Sequence, residues 1–96
     1  MSIVFGTSDG VWESGSGPPQ RAGLPGKEVS HISTRNGLTL AAVPRDGLYE
    51  LSGSVERRIW HGDARSCAIS PEGKLYVGTE PAMIFRSDDS GATWQR

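Results

Sequence analysis

The chain has 96 residues, with 10 Lys and Arg against 11 Asp and Glu and a formal net charge of −1. Both signs are interspersed, so no basic field exists to neutralise phosphates, and neither nucleic acid nor a membrane is an expected partner. This length limits the chain to one small domain, and 13 Gly and 6 Pro interrupt it too often for helices. The runs between them favour β-branched, aromatic and Leu residues, which gives an all-β fold class.

In chain order, Met1-Ser2-Ile3-Val4-Phe5 runs at once into Gly6 and Thr7, too short for a signal-peptide apolar core and without a basic start. A cytoplasmic location is the expectation. Ile3 to Thr7 reads as an apolar strand and Gly10 to Ser14 as its hairpin partner, whereas Pro18 to Glu28 is a poor strand. Val29 to Ser33 begins a second set, closed by a tight turn at Asn36-Gly37. Thr39 to Val43, Gly47 to Leu51 and Val55 to Trp60 follow it. A third set starts at Ser66 to Ser70, turns at Pro71-Glu72-Gly73, and continues through Leu75 to Thr79 and Met83 to Ser87. It turns again at Ser90-Gly91 and ends in Thr93-Trp94-Gln95.

These sets are copies of one another. Ile3-Val4-Phe5-Gly6-Thr7 aligns with Thr39-Leu40-Ala41-Ala42-Val43 and with Leu75-Tyr76-Val77-Gly78-Thr79, at a constant offset of 36 residues. Val11-Trp12, Leu48-Tyr49 and Ile84-Phe85 likewise place an aliphatic residue before an aromatic one. A fixed period of this size marks a repeat architecture, and four strands per repeat with a polar fourth strand is the pattern of a β-propeller blade. The expected division is a partial blade over 1–28 lacking its inner strand, a blade over 29–65, and a blade over 66–96. Ala68 and Ser30 would suit the narrow channel side. Propellers close with roughly 4 to 8 blades. The expectation is therefore a segment of a larger ring or a homo-oligomer, self-associated or poorly stable alone.

Ser87-Asp88-Asp89-Ser90-Gly91-Ala92-Thr93-Trp94 fits the pattern Ser-x-Asp-x-Gly-x-Thr-Trp. Asp89 can accept backbone N–H bonds inside such a turn, Gly91 can take positive φ, and Trp94 can pack where the outer strand resumes. With Leu75 to Pro81 before it, this stretch resembles the BNR or Asp-box repeat family, sialidase-like propellers often labelled glycosyl hydrolases. The resemblance covers 75–96; the corresponding turns at Gly15-Ser16-Gly17-Pro18 and Ser52-Gly53-Ser54 do not keep the box. It implies that Ser87, Asp89, Gly91, Thr93 and Trp94 form a folding element on the face opposite an active site, and not a catalytic one.

Sialidase chemistry needs an arginine triad, a tyrosine nucleophile backed by a glutamate, and an aspartate acid/base. Tyr49 and Glu50 are strand neighbours whose side chains point to opposite faces, and no catalytic set is expected. His31 and His61 fall in different repeats without a third ligand at recognisable spacing, so neither a metal nor a cofactor is expected. Arg57-Arg58 belong to a polar outer strand, and Cys67 reads as a small core residue.

The turns between second and third strands, and the links between blades, should collect at one end of the scaffold. That end carries Asp9, Arg45, Asp46, Asp63, Arg65 and Glu80 as a candidate ligand face. Its expected partner is a protein or a glycan. Three functions remain open: a non-catalytic binding scaffold, the N-terminal part of a sialidase-like glycoside hydrolase whose catalytic residues lie outside this chain, and a small oligomeric lectin-like ring.

Overall fold

The computed structural model describes residues 3–15, 17–52 and 55–96. Ten strands and no helix occur among them: β1 (Ile3–Thr7), β2 (Gly10–Ser14), β3 (Gln20–Gly23), β4 (His31–Arg35), β5 (Leu38–Val43), β6 (Asp46–Ser52), β7 (Val55–Gly62), β8 (Ala64–Ile69), β9 (Leu75–Thr79) and β10 (Ile84–Ser87). They form three separate antiparallel sheets in the orders β1-β2-β3, β4-β5-β6-β7 and β8-β9-β10. No sheet closes on itself. The turn positions Ser16, Gly53 and Ser54 of the first two repeats, like Met1 and Ser2, lie outside the described residues.

Each sheet is a meander because its connections are short and built from residues that accept positive φ. Asn36 and Gly37 sit at φ 52° and 82°, the pair of left-handed conformations a two-residue hairpin requires, and join β4 to β5. Ser90 and Gly91 repeat the device at 61° and 93°. Between β1 and β2 the turn needs a glycine for space as well: a side chain on Gly10 would fall 2.5 Å from the carbonyl oxygens of Gly23 and Leu24.

The three sheets stack face to face through two apolar clusters. Val4, Val11, Leu24 and Val29 meet Ala41, Val43, Tyr49 and Leu51 between the first and middle sheets. Leu40, Ala42 and Leu48 meet Ala64, Cys67, Leu75 and Val77 between the middle and last sheets, with Trp60 and Phe85 packed against them at a ring separation of 5.4 Å. The middle sheet is thus buried on both faces. This explains why β5 reads Leu-Thr-Leu-Ala-Ala-Val with little polar alternation. Leu40, Ala41, Ala42 and Leu48 are all fully buried.

Some boundaries differ from the sequence reading. The inner strand of the middle sheet begins at His31 and not at Val29, because Val29 donates its N–H to the Thr7 carbonyl (2.8 Å) and buries its side chain against Gly6. Thr93-Trp94-Gln95 forms no strand. A single bridge stands in its place, with Arg86 and Gln95 exchanging N–H···O bonds of 2.7 and 2.8 Å. The stretch 18–28, poor as a strand, yields the four-residue β3 and then inserts Leu24, fully buried at φ 54°, between the first and middle sheets. Ser30 and Ala68 are exposed.

Candidate binding face

Antiparallel pairing sends the β1–β2, β5–β6 and β9–β10 connections to the same end of their sheets as the β3–β4 and β7–β8 links. Asp9, Arg45, Asp63 and Glu80 fall on those segments, and Asp46 and Arg65 lie at the adjoining starts of β6 and β8. The structure ties several of them together. Arg45 donates its backbone N–H to Asp63 Oδ1 (2.7 Å), the Asp63 carbonyl accepts from the Glu80 N–H (3.1 Å), and Arg65 grips the Asp63 carboxylate with two bonds of 2.9 Å. Asp63 therefore joins the β5–β6 turn, the β7–β8 link and the end of β9. The Arg65 guanidinium is the main cause holding its carboxyl below the usual range, with the Arg45 N–H assisting against desolvation.

Asp46 is the hub of the neighbouring cluster. Its carboxylate accepts from Lys27 Nζ, the Tyr49 hydroxyl and Arg58 Nη1, each at 2.8 Å. Burial pushes its pKa upward, but the three bonds together outweigh that and bring it down to about 2. Lys27 also lies 5.5 Å from the Tyr49 ring centre, so one ammonium pins the β3–β4 link to the middle sheet. Asp9 stands apart on the first sheet. It receives a bidentate Arg21 (3.2 and 2.9 Å) and the Gly26 N–H (2.8 Å), while Arg21 stacks 4.8 Å from the Trp12 ring.

Three of the four candidate carboxylates are thus engaged within the chain and fix turns. Arg45 and Glu80 project as exposed side chains, and Arg65 is exposed while held in place by Asp63. The arrangement can offer two guanidinium groups and one carboxylate from a rigid base to a polar ligand. Tyr49 and Glu50 lie on opposite faces, Tyr49 in the core and Glu50 paired to Arg57 at 2.8 Å. Among the described residues, no group of three or more His, Cys, Asp and Glu could hold a metal ion. Sequence reasoning missed Lys27 and Arg21, and read Arg58 only as part of a polar outer strand and not as a partner of Asp46. Their partners lie 19, 12 and 12 positions away, beyond any local spacing rule.

At the opposite end, the Ser87–Trp94 turn is held by its own side chains. The fully buried Ser87 accepts the Gly91 N–H at 2.8 Å and donates to Asp89 Oδ1 at 2.8 Å. Asp89 accepts both the Thr93 hydroxyl and the Thr93 N–H (2.9 Å), bonds that, with Ser87, bring its pKa down to about 2. Trp94 donates its indole N–H to the Ile59 carbonyl (2.9 Å), and Gly91 sits so close to Ile59 that a side chain there would collide. The turn therefore clamps the last sheet onto β7.

Cys67 is buried, and burial pushes its thiol up to about 12. Its N–H donates to His31 Nδ1 at 3.1 Å, so His31 serves as an acceptor between β4 and β8. Comparison with known protein families, curated proteins and solved structures gives no match to this chain.

Proposed function

We propose that the chain is a run of β-propeller blades acting as a non-catalytic scaffold that binds a protein or glycan at the Arg45–Arg65–Glu80 end. The supporting observation is the three-way anchorage of Asp63, which holds Arg65 and the backbone beneath Arg45 and Glu80 in fixed positions. Side chains fixed before binding give up less freedom when a ligand arrives, so guanidinium and carboxylate groups displayed this way suit sugar hydroxyls or a polar protein surface. Repetition at a 36-residue period, with strands meandering in sets of three or four, supports the blade reading.

The test replaces Arg45 and Arg65 together by Ala and measures binding to a glycan array and to cell-extract partners, with thermal melting as a control on folding. Loss of a charged hydrogen bond costs about 1.5–3 kcal/mol, so affinity should fall roughly tenfold or more for each guanidinium bond to the ligand that is removed. Unchanged binding in both assays with the fold intact would remove this end from consideration.

A second reading, the N-terminal part of a sialidase-like hydrolase with its catalytic residues outside this chain, is favoured by the bonding of Ser87, Asp89 and Thr93, which suits the turn-forming role the Asp-box resemblance implies. On either reading these 96 residues release no fluorogenic sialoside. Release abolished by a point change within them would overturn both.

A further inference from the structure

The seam between the middle and last sheets is closed by a histidine whose bonding requires a neutral ring. Among the described residues β8 pairs only with β9, so the backbone groups on its other side need partners from outside the sheet. Two side chains at the start of β4, which packs against β8, supply them. Ser30, one residue before β4, places its hydroxyl 3.1 Å from the Arg65 carbonyl, and His31 places Nδ1 3.1 Å from the Cys67 nitrogen. A backbone N–H can only donate. Nδ1 therefore carries a lone pair, and the neutral ring holds its proton on Nε2. A second proton has to go onto Nδ1, against the Cys67 N–H, so a charged His31 and a closed bond exclude each other.

The Cys67 thiol is sealed by the same contact. Its Sγ lies 3.6 Å from Nδ1, 3.6 Å from the Leu40 carbonyl oxygen and 3.8 Å from that of His31, and the residue is 5% exposed. His31 itself is exposed, so protons reach it from solvent. The elements around it supply no anion to compensate. β4 packs on β1, β5 and β8. Of these, β1 and β5 carry no ionisable side chain, β8 carries Arg65 and Cys67, and β4 itself carries Arg35. Along the chain the nearest carboxylates are Glu28, in the link before β4 beside Lys27, and Asp63, just before β8. Arg65 already grips Asp63 with two bonds of 2.9 Å. A positive charge on His31 thus adds to Arg35 and Arg65 on the surrounding strands.

We propose that His31 is an acid-sensitive latch: its neutral ring holds the β4–β8 seam closed, and protonation breaks the Cys67 bond, loosens the seam and exposes the Cys67 thiol. Histidine is the side chain that ordinarily changes charge between about pH 8 and pH 5. The opened chain takes up a proton that the closed one excludes, so the seam is tight at the upper end of this range and weakens as pH falls. The carboxylates of Asp46 and Asp89, brought down to about 2, keep their bonds throughout it.

Cys67 is the only cysteine, so reaction of the chain with dithiodipyridine, a disulfide reagent that works in mild acid, reads its exposure directly. Rates are measured on the folded chain near the two ends of the histidine range, about pH 7.5 and pH 5, and divided by those of the urea-unfolded chain at the same pH, which removes the thiol's own titration. The expected result for wild type is a ratio that rises about three- to tenfold on acidification, the effect of losing one net hydrogen bond. His31→Asn, whose Oδ1 can accept in place of Nδ1 and takes up no proton, should abolish the rise, while His61→Asn, which changes the other histidine, should retain it. Circular dichroism melts check that both variants fold, and His31→Gln serves if His31→Asn does not. Nitrogen NMR of the wild-type chain near the upper pH should place the ring proton on Nε2. A wild-type ratio independent of pH, a rise that persists in His31→Asn or His31→Gln, a rise lost in His61→Asn, or a neutral ring protonated on Nδ1 would overturn the latch.

Discussion

The first three strands of the middle sheet and the three of the last pair in the same order with nearly the same apolar pattern, yet Leu48 is sealed and Ile84, its register equivalent, is open. The difference comes from neighbours and not from local sequence. The middle sheet has a sheet on each face; the last has one on the face that carries Leu75, Val77 and Phe85. An apolar residue in a strand therefore contributes to stability only in proportion to what covers it, and the repeat makes that contrast measurable within one molecule.

The sharpest way to break the comparison is to truncate both positions. Leu48→Ala should cost about 2–5 kcal/mol through lost transfer energy and a residual cavity, while Ile84→Ala in dilute solution should fall within about 0.5 kcal/mol of wild type. Urea midpoints for the two variants, at unchanged slope, check this; equal costs would contradict the difference in burial.

Two glycines give a similar contrast. Gly10 and Gly73 both have positive φ, 91° and 87°, but only Gly10 faces backbone oxygens at 2.5 Å, and Gly73 has open space. Gly73→Ala should cost about 1 kcal/mol from its conformation alone. Gly10→Ala should cost more, of order 2–3 kcal/mol, since collision of the new methyl with the Gly23 and Leu24 carbonyl oxygens adds to the same conformational cost. Chemical denaturation of both variants tests the order.

Asp46 and Asp9 occupy equivalent turns with different surroundings. The Asp46 carboxylate is 20% exposed and has its pKa brought from 3.8 to about 2 in the folded state. A depressed folded pKa stabilises above the unfolded value and loses that contribution as pH falls through the folded one. Stability should thus drop by roughly 2 kcal/mol between about pH 4 and pH 2, and Asp46→Asn should flatten that part of the acid limb. Asp9, 55% exposed, is shifted the same way by Arg21, but water screens the pair, so Asp9→Asn should change the limb less. Melting curves from pH 5 to pH 2 separate the two. The smallest expected effect is at Cys67, which should resist alkylation at pH 8 in the folded chain and react on unfolding, since its pKa is near 12.

Strand existence was legible because the 36-residue offset repeats both hydrophobicity and turn chemistry: Gly37 of Asn36-Gly37 and Gly73 of Glu72-Gly73 fall one period apart and both take positive φ, 82° and 87°. The all-β class follows from that, with three small antiparallel sheets, the last beginning at Ala64 and not at Ser66. Local pattern could not show Leu24, buried from a Pro- and Gly-rich link, or Lys27 reaching Asp46 across a sheet boundary. Both depend on which sheet lies opposite. The face bearing Arg45, Arg65 and Glu80 was legible as a collection of turns. That Asp63 braces it, and that Asp46 turns inward to Tyr49 and Arg58, is set by tertiary packing. A single bridge at Gln95 stands where a strand was expected, beside the Trp94 indole that donates to the Ile59 carbonyl, a partner 35 positions away that local pattern does not reveal.

Amide hydrogen exchange across the three sheets is the most direct test of a middle sheet buried on both faces and supporting the other two. The account predicts that amides of β5 and β6, from Leu40 to Val43 and from Leu48 to Leu51, exchange slowest, near the global unfolding limit, while those of β3 and β10 exchange fastest. Uniform protection over all three sheets, or slowest exchange in β10, would contradict it.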